Sequence, residues 1–335
     1  MKKILVTGAS GFIGSFIVER ALELGFEVFA GLRSSSNRRY LTDPAIQFLE
    51  LDFTKQDLLK QSLADFKNKH SRFDYIIHCA GVTKCKNKSE FVEVNYLQTK
   101  SFVDVLIELD IVPKQFLFVS TLSVFGPIKE LDYKPITESD VRNPNTAYGL
   151  SKLRTELFLE SLTGFPYVVF RPTGVYGPRE TDYFLMVKSI KSHLDFSVGY
   201  KRQDLTFVYV KDLVESLFLA IDKGVTNRSY FVTDGEVYNS RKFSELIQEE
   251  LGVGFVLRIK SPLIVLKGIS LFAEFIASIF GKSSTLNSDK YKIMKQRNWR
   301  CDITPTIDEL GYKPKYKLKE GVREAVSWYK KEKWI

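Results

Sequence analysis

Cysteine, histidine and long apolar runs are all scarce in this chain. Its 335 residues include only three cysteines, Cys79, Cys85 and Cys301, too few and too scattered for a disulfide framework. They also lack the spacing of metal ligands, so no metal is expected, and a reducing compartment, the cytoplasm, is. Of the three histidines, His78 closes a buried apolar run, where a histidine is more often structural than catalytic. Met1-Lys2-Lys3 resembles the charged start of a secretory leader, but Thr7, Gly8, Ser10 and Gly11 interrupt the apolar run at once, so it reads as a strand. Acidic residues are outnumbered, 40 Asp and Glu against 49 Lys and Arg, and the excess gathers late: residues 282–335 hold 14 basic and 7 acidic side chains. There the lysines alternate with aromatics, as in Lys313-Pro314-Lys315-Tyr316-Lys317. That pattern suits a solvated face, or one that attracts an anionic ligand, and not a nucleic-acid surface.

What the chain does have is an apolar run, Lys3-Ile4-Leu5-Val6-Thr7, ending in Gly8, Gly11 and Gly14 and followed by helical periodicity from Ser15 to Leu24. This is a strand, a tight turn and a helix start. The first glycine permits positive φ, the second lets the backbone approach a pyrophosphate, and the third allows close packing of helix on strand. Unpaired N–H groups at the helix start favour anions, so Ser10, Phe12 and Ile13 join the glycines as candidate dinucleotide-binding positions. The Gly-x-x-Gly-x-x-Gly spacing is one residue longer than the commonest form.

A second strand is expected over Phe26–Leu32. Where a carboxylate would take the ribose hydroxyls of NAD, the chain has Leu32 and Arg33. NADP is therefore expected over NAD, with Arg33 on the 2′-phosphate and Ser34 and Arg38 assisting. Strands at Ile46–Leu51 and Phe73–His78 alternate with helical stretches such as Lys55–Lys67, which demands an α/β fold with a parallel, doubly wound sheet and right-handed crossovers. Ligands bind at the carboxyl ends of such strands, where Asp52 and Phe53 are placed to meet the adenine, and Ala80 and Gly81 the pyrophosphate and ribose.

A long amphipathic helix is expected over Glu90–Leu109, carrying Asn95, and then a strand, Gln115–Val119, opening into the hydroxyl-rich Ser120-Thr121-Leu122-Ser123. The next helix starts at Tyr148. Tyr148 and Lys152, four apart, share a helix face. A free tyrosine titrates near pH 10 and is a poor base unless a cation stabilises its phenolate, which Lys152 can do. Thr121 can donate a hydrogen bond to a substrate oxygen.

Together these pieces resemble the extended short-chain dehydrogenase/reductase superfamily, in particular its NAD-dependent epimerase/dehydratase group. The matches are Thr7-Gly8-x-x-Gly11-x-x-Gly14, Asp52, His78-Cys79-Ala80-Gly81, Asn95, Ser120-Thr121-x-x-Val124-Phe125-Gly126, Tyr148-x-x-x-Lys152, Arg171-Pro172-Thr173-Gly174-Val175-Tyr176-Gly177-Pro178 and Phe207-Val208-Tyr209-Val210-x-Asp212. The resemblance implies a Rossmann domain over 1–175 and a small C-terminal substrate-binding lobe over 176–335, interleaved with returning Rossmann elements. It makes Tyr148 the acid/base, Lys152 the residue that lowers its pKa and binds the nicotinamide ribose, and Thr121 the one that orients the reacting oxygen. It adds Asn95, Arg171, Pro172, Thr173 and Val175 to the cofactor set, and it implies a homodimer paired through the helices Glu90–Leu109 and Tyr148–Leu162.

Departures from the pattern bear on the reaction. Sugar-nucleotide 4,6-dehydratases carry an Asp-Glu pair directly after the catalytic threonine, and Leu122-Ser123 stands here. Many sugar-nucleotide enzymes place an arginine two residues before Phe-Val-Tyr-Val to clasp the diphosphate, where this chain has Leu205, with Arg202 or Arg179 as substitutes. The Gly31-Leu32-Arg33-Ser34 strand end looks more like the dihydroflavonol-reductase and 3β-hydroxysteroid-dehydrogenase branch. The apolar stretch 262–281, with Lys267 and Glu274 inside it, is expected to be a lid over an apolar substrate, or core, ahead of a membrane span or interfacial contact. The expectation is an NAD(P)-dependent reductase or dehydrogenase acting on a fairly apolar small molecule. A nucleotide-sugar 4-epimerase is the alternative. A cofactor-sensing protein without turnover comes third, since Tyr148 and Lys152 are intact.

Overall fold

The apolar run before Gly8 forms strand β1 (Lys3–Thr7), and the helix after the glycines is α1 (Phe12–Glu23). The chain continues through β2 (Glu27–Leu32), β3 (Gln47–Glu50), α2 (Gln56–His70) and β4 (Tyr75–His78). These coordinates are a computed structural model that describes residues 1–279, 284 and 287–335. The long helix expected around Asn95 is present in three parts: α3 (Lys88–Val92), a π-helical turn over Glu93–Leu97 and α4 (Gln98–Glu108). Strand β5 (Gln115–Val119), helix α5 (Ala147–Ser161) and strand β6 (Tyr167–Pro172) follow. Then come β7 (Gly174–Tyr176), α6 (Asp182–Lys191), β8 (Leu194–Val198), β9 (Phe207–Tyr209), α7 (Val210–Lys223) and β10 (Arg228–Val232). The last elements are α8 (Lys242–Leu251), β11 (Leu257–Ser261), α9 (Leu263–Ile279), α10 (Ser288–Lys295), α11 (Thr304–Leu310) and α12 (Leu318–Lys331).

Seven strands make one sheet in the order β10-β6-β5-β4-β1-β2-β3, and every pairing from β3 to β6 is parallel. This is a Rossmann order, with its switch point between β1 and β4. Ile4, Leu5, Val6, Ile76, Ile77, Phe116, Leu117 and Phe118 are wholly buried, as a parallel sheet covered on both faces requires.

The chain packs as two compact units, one of residues 1–121, 150–171 and 214–230, the other of 122–149, 172–213 and 231–335. The division at 175 expected from the sequence is therefore more interleaved. Residues 122–149 go with the second unit because that loop pairs there: Ile136 bridges to Cys301, and Asn298 Nδ2 donates to the Lys134 carbonyl at 3.0 Å. The first unit's core is aromatic and aliphatic, including Phe29, Leu63, Phe66, Phe73, Phe102 and Phe116. The second is built on Tyr176, Phe207, Tyr209, Phe243, Val322 and Tyr329, and holds two parallel ribbons, β7 with β9 and β8 with β11. Each such side chain contributes about 1.5–3 kcal/mol by leaving water.

Helix α9 departs from the expectation of a lid or core element. It buries Leu266 and Ser270 and presents Ile264, Val265, Ile269, Leu271 and Phe272 to solvent. Phe280 and Gly281, and the side chains of Ile276 and Ile279, lie outside the described residues. Among the described residues no helix is long and apolar enough to cross a membrane.

Candidate active site

In the first unit the glycine turn is held against the end of β4. Gly8 has φ +67°, and a Cβ there would stand 2.7 Å from the Ala80 nitrogen; at Gly14 a Cβ would stand 2.1 Å from the Gly8 carbonyl oxygen. Gly11 is the residue before α1, exposed and without a capping side chain, so the first N–H groups of that helix keep the anion-binding character expected of Phe12 and Ile13. The cradle therefore fits a dinucleotide pyrophosphate.

His78 lies beneath this turn and is structural. Thr99 Oγ1 donates to the Asn95 carbonyl, so it accepts from His78 Nε2–H at 2.9 Å, and Thr7 Oγ1 then donates to Nδ1 at 2.8 Å. Burial, aided by the Lys152 charge, pushes its pKa down to about 3, so the ring is neutral.

Asn95 is hydrogen-bonded within the fold. Its Oδ1 accepts from the Val82 N–H at 2.8 Å, and its Nδ2 donates to the Val82 carbonyl at 3.1 Å and to Ser151 Oγ at 2.9 Å. With the amide so engaged, the residue fixes the loop just after Ala80 and Gly81, and the π-helical turn is what aims it there.

Lys152 is buried among the ends of β4 and β5. Its Nζ donates to the Val119 carbonyl at 2.9 Å, stands 4.6 Å from the centre of the Phe118 ring, and would be 3.4 Å from a Cβ on Gly81. Burial pushes its pKa down to about 8 against the opposing pull of Cys79 and Glu156. Thr121 is buried just past β5, two residues beyond that carbonyl.

Arg171 is engaged within the fold. Its guanidinium is buried and grips Glu156, Nη2 to Oε2 at 2.8 Å and Nε to both oxygens at 3.1 Å, while Ser120 Oγ also donates to Glu156. A buried guanidinium needs a buried counter-ion, and α5 supplies one a turn beyond Lys152. Sequence reasoning missed Glu156; its spacing of four from Lys152 on one helix was the available signal.

At the end of β2, Arg33 and Ser34 are exposed, and Arg38 lies over the Phe48 ring at 4.2 Å. The Asp52 carboxyl is held below its usual range, chiefly by hydrogen bonds from the Thr54 side chain and backbone, with Lys55 and Arg33 adding charge. Phe53 packs edge-on against His78 and Phe102 and serves the core.

In the second unit, Thr146 caps α5 by accepting from the Gly149 N–H at 3.0 Å, and Asp289 on α10 accepts from the Ala147 N–H at 2.7 Å. These two contacts fix the helix start that carries Tyr148, and Lys152 follows one turn later along the same helix. Pro172 ends β6 and Val175 lies in β7; between them Thr173 Oγ1 is buried with no hydrogen-bond partner among the described residues, as suits a group awaiting a ligand.

The second unit also holds a cavity of about 640 Å³ lined by Lys201, Arg202, Arg241, Lys260 and Arg300, with Tyr200 and Tyr238. Asp204 is the sole acid lining it, taken by Arg202 at 2.7 Å from both Nε and Nη2. The Arg300 Nε is buried without a hydrogen-bond partner among the described residues. No local motif marks Arg241 or Arg300; they meet Arg202 only through the fold. Among the described residues no cluster of His, Cys, Asp and Glu could hold a metal ion.

The model of the NAD dependent epimerase/dehydratase family matches residues 4–239. The chain belongs to that family. It is an enzyme of the NAD-dependent epimerase/dehydratase type. It is 25% identical over 342 residues to a putative UDP-glucose 4-epimerase of Methanocaldococcus jannaschii, covering 98% of each chain. Its fold is that of the Thermotoga maritima UDP-glucose 4-epimerase solved with UDP-glucose, with a TM-score of 0.79 at 23% identity, over 98% of this chain and 99% of that one. The Bordetella bronchiseptica enzyme WbmG, solved with NAD and UDP, gives 0.77 at 20% identity, over 98% and 95%.

Proposed function

We propose that this enzyme epimerises a nucleotide-linked sugar, with NAD as its cofactor. The observation that carries the reading is the cationic cavity of the second unit, whose five basic side chains and single acid suit a diphosphate and whose size suits a nucleotide. The lean toward a reductase on an apolar substrate rested on Leu205 and on the apolar stretch. Arg202 and Arg300 stand in for the arginine missing at 205, and α9 turns its apolar side chains to solvent.

When bound, the dinucleotide supplies reversible hydride acceptance and donation. The chain's own residues do the rest. Gly8, Gly11 and Gly14 leave room for the pyrophosphate, and Lys152 holds a positive charge at the strand ends where the nicotinamide ribose is expected. Tyr148, as phenolate, takes the proton from the sugar hydroxyl and returns it to the same oxygen after the carbon has changed face, while the Thr121 hydroxyl donates to that oxygen. Positioned acid–base help of this kind adds about 10²- to 10⁴-fold. Leu122 and Ser123 offer no carboxylates for water elimination, which sets dehydration aside.

The test is titration with UDP, then incubation with UDP-glucose followed by proton NMR. UDP should bind, and Arg202→Ala and Arg300→Ala should each weaken it at least tenfold, because a charge-assisted hydrogen bond contributes about 1.5–3 kcal/mol. Binding unaffected by either change refutes the cavity's role, and NADH accumulating in step with product restores the dehydrogenase reading. A second reading, NADP, is favoured by exposed Arg33 beside Ser34 and by the absence of a carboxylate at that strand end. Tighter NADP than NAD binding, abolished by Arg33→Ala, would establish it.

A further inference from the structure

We propose that α9 and the adjoining β8–β11 ribbon dock this enzyme on an anionic lipid surface. Helix α9 is inverted relative to a core helix. Its inward side is Leu266 and Ser270, the latter closing its hydroxyl onto the Leu266 carbonyl at 2.8 Å, while Ile264, Val265, Ile269, Leu271 and Phe272 face outward. Ile264 is 81% and Phe272 66% exposed. At 100° per residue these five positions, with Gly268 between them, span about half the helix circumference, and no charged side chain interrupts them. Lys267 sits at one border of the stripe and Glu274 is turned away, accepting from the Ser288 N–H at 3.0 Å.

The apolar surface continues into the strand before the helix. In the parallel register of β8 and β11, Ile259 stands opposite Phe196, so Phe196, Leu257 and Ile259 share one face, and Phe196 and Leu257 are exposed. Exposed apolar faces on two successive elements mark a docking site.

Charge selects the occupant. Lys267, Lys292 and Lys295 line one cleft together with Leu271 of the apolar stripe, and Glu130 is the one acid lining it. A second copy seated on this face would bring two such basic regions together. An anionic bilayer complements them, and a helix with one apolar face bordered by basic residues is the form that lies in the headgroup region without spanning. The stripe continues at least to Phe275, which is also exposed, and among the described residues no helix is long and apolar enough to cross a membrane.

The experiment is co-sedimentation of the full chain with phosphatidylcholine vesicles and with mixed phosphatidylcholine–phosphatidylglycerol vesicles, beside sedimentation velocity without lipid. Binding to the anionic vesicles is expected, weak on phosphatidylcholine alone and falling with salt. The double substitution Ile264→Asp/Phe272→Asp should weaken it at least tenfold, as should Lys267→Glu/Lys295→Glu, with far-ultraviolet circular dichroism unchanged since all four positions are exposed. No binding to anionic vesicles, or binding indifferent to both double substitutions, overturns the proposal. So does a lipid-free dimer that Ile264→Asp/Phe272→Asp dissociates, which would assign the face to a second copy.

Discussion

Replacing Glu156 by glutamine tests whether the placement of Lys152 on α5 and of Thr121 just past β5 depends on one buried carboxylate. Glu156 is wholly buried and accepts from Arg171 Nε at 3.1 Å, from Arg171 Nη2 at 2.8 Å and from Ser120 Oγ. Glu156→Gln keeps the shape but leaves the buried Arg171 guanidinium facing Glu160, 4.0 Å away and partly exposed, in place of its close, wholly buried counter-ion. Breaking such a pair from one side costs about 3–5 kcal/mol. A domain's whole stability is about 5–15 kcal/mol, so the loss is large against the total. Glu156 also lies one turn beyond Lys152 on α5, and Ser120 directly precedes Thr121, so NAD binding should weaken with stability. The assay is urea unfolding followed by fluorescence and circular dichroism. The double variant Glu156→Gln/Arg171→Met removes the stranded charge and should recover most of the loss, because apolar replacement of a whole buried pair is often neutral. A single-variant loss below about 1 kcal/mol, or a double variant no more stable than the sum of the singles, would refute the reasoning.

Gly14→Ala places a Cβ 2.1 Å from the Gly8 carbonyl oxygen, so the turn must open and NAD affinity should drop at least tenfold by calorimetry; unchanged affinity would show that the turn does not hold the pyrophosphate. Burial holds the Lys152 pKa at about 8 instead of its ordinary 10.5, so between those values the unfolded chain binds the extra proton and stability should rise with pH. Lys152→Met should flatten that rise in denaturation curves, and identical slopes would contradict the assigned burial cost; turnover should also decline above about pH 8 as the cation is lost. We further expect a homodimer through α4 and α5, whose neighbouring Leu97, Leu150 and Leu157 are exposed, so that Leu157→Glu yields monomer in sedimentation velocity, whereas a monomeric wild type would end that expectation.

Local chemistry made much of this protein readable along the chain. Gly8 must be glycine because its φ is positive and Ala80 presses on it, and Gly14 because the Gly8 carbonyl does; such demands write themselves into single positions at short spacing. The alternation of apolar runs with helical stretches dictated a parallel sheet, since each strand must be covered on both faces. Other assignments required partners far apart in sequence. That Val82 and Ser151 engage the Asn95 amide, and that Glu156 lies beside Arg171, is visible only in the fold. The cationic cavity draws Arg202, Arg241 and Arg300 from three separate segments, which no single position such as Leu205 reveals. Apolar content told nothing of direction in α9, because hydrophobicity in a sequence does not say which side of a helix the neighbouring elements cover. Positive φ, helix spacing and strand alternation are properties of adjacent residues; charge neutralisation and burial depend on which distant segments the fold brings together.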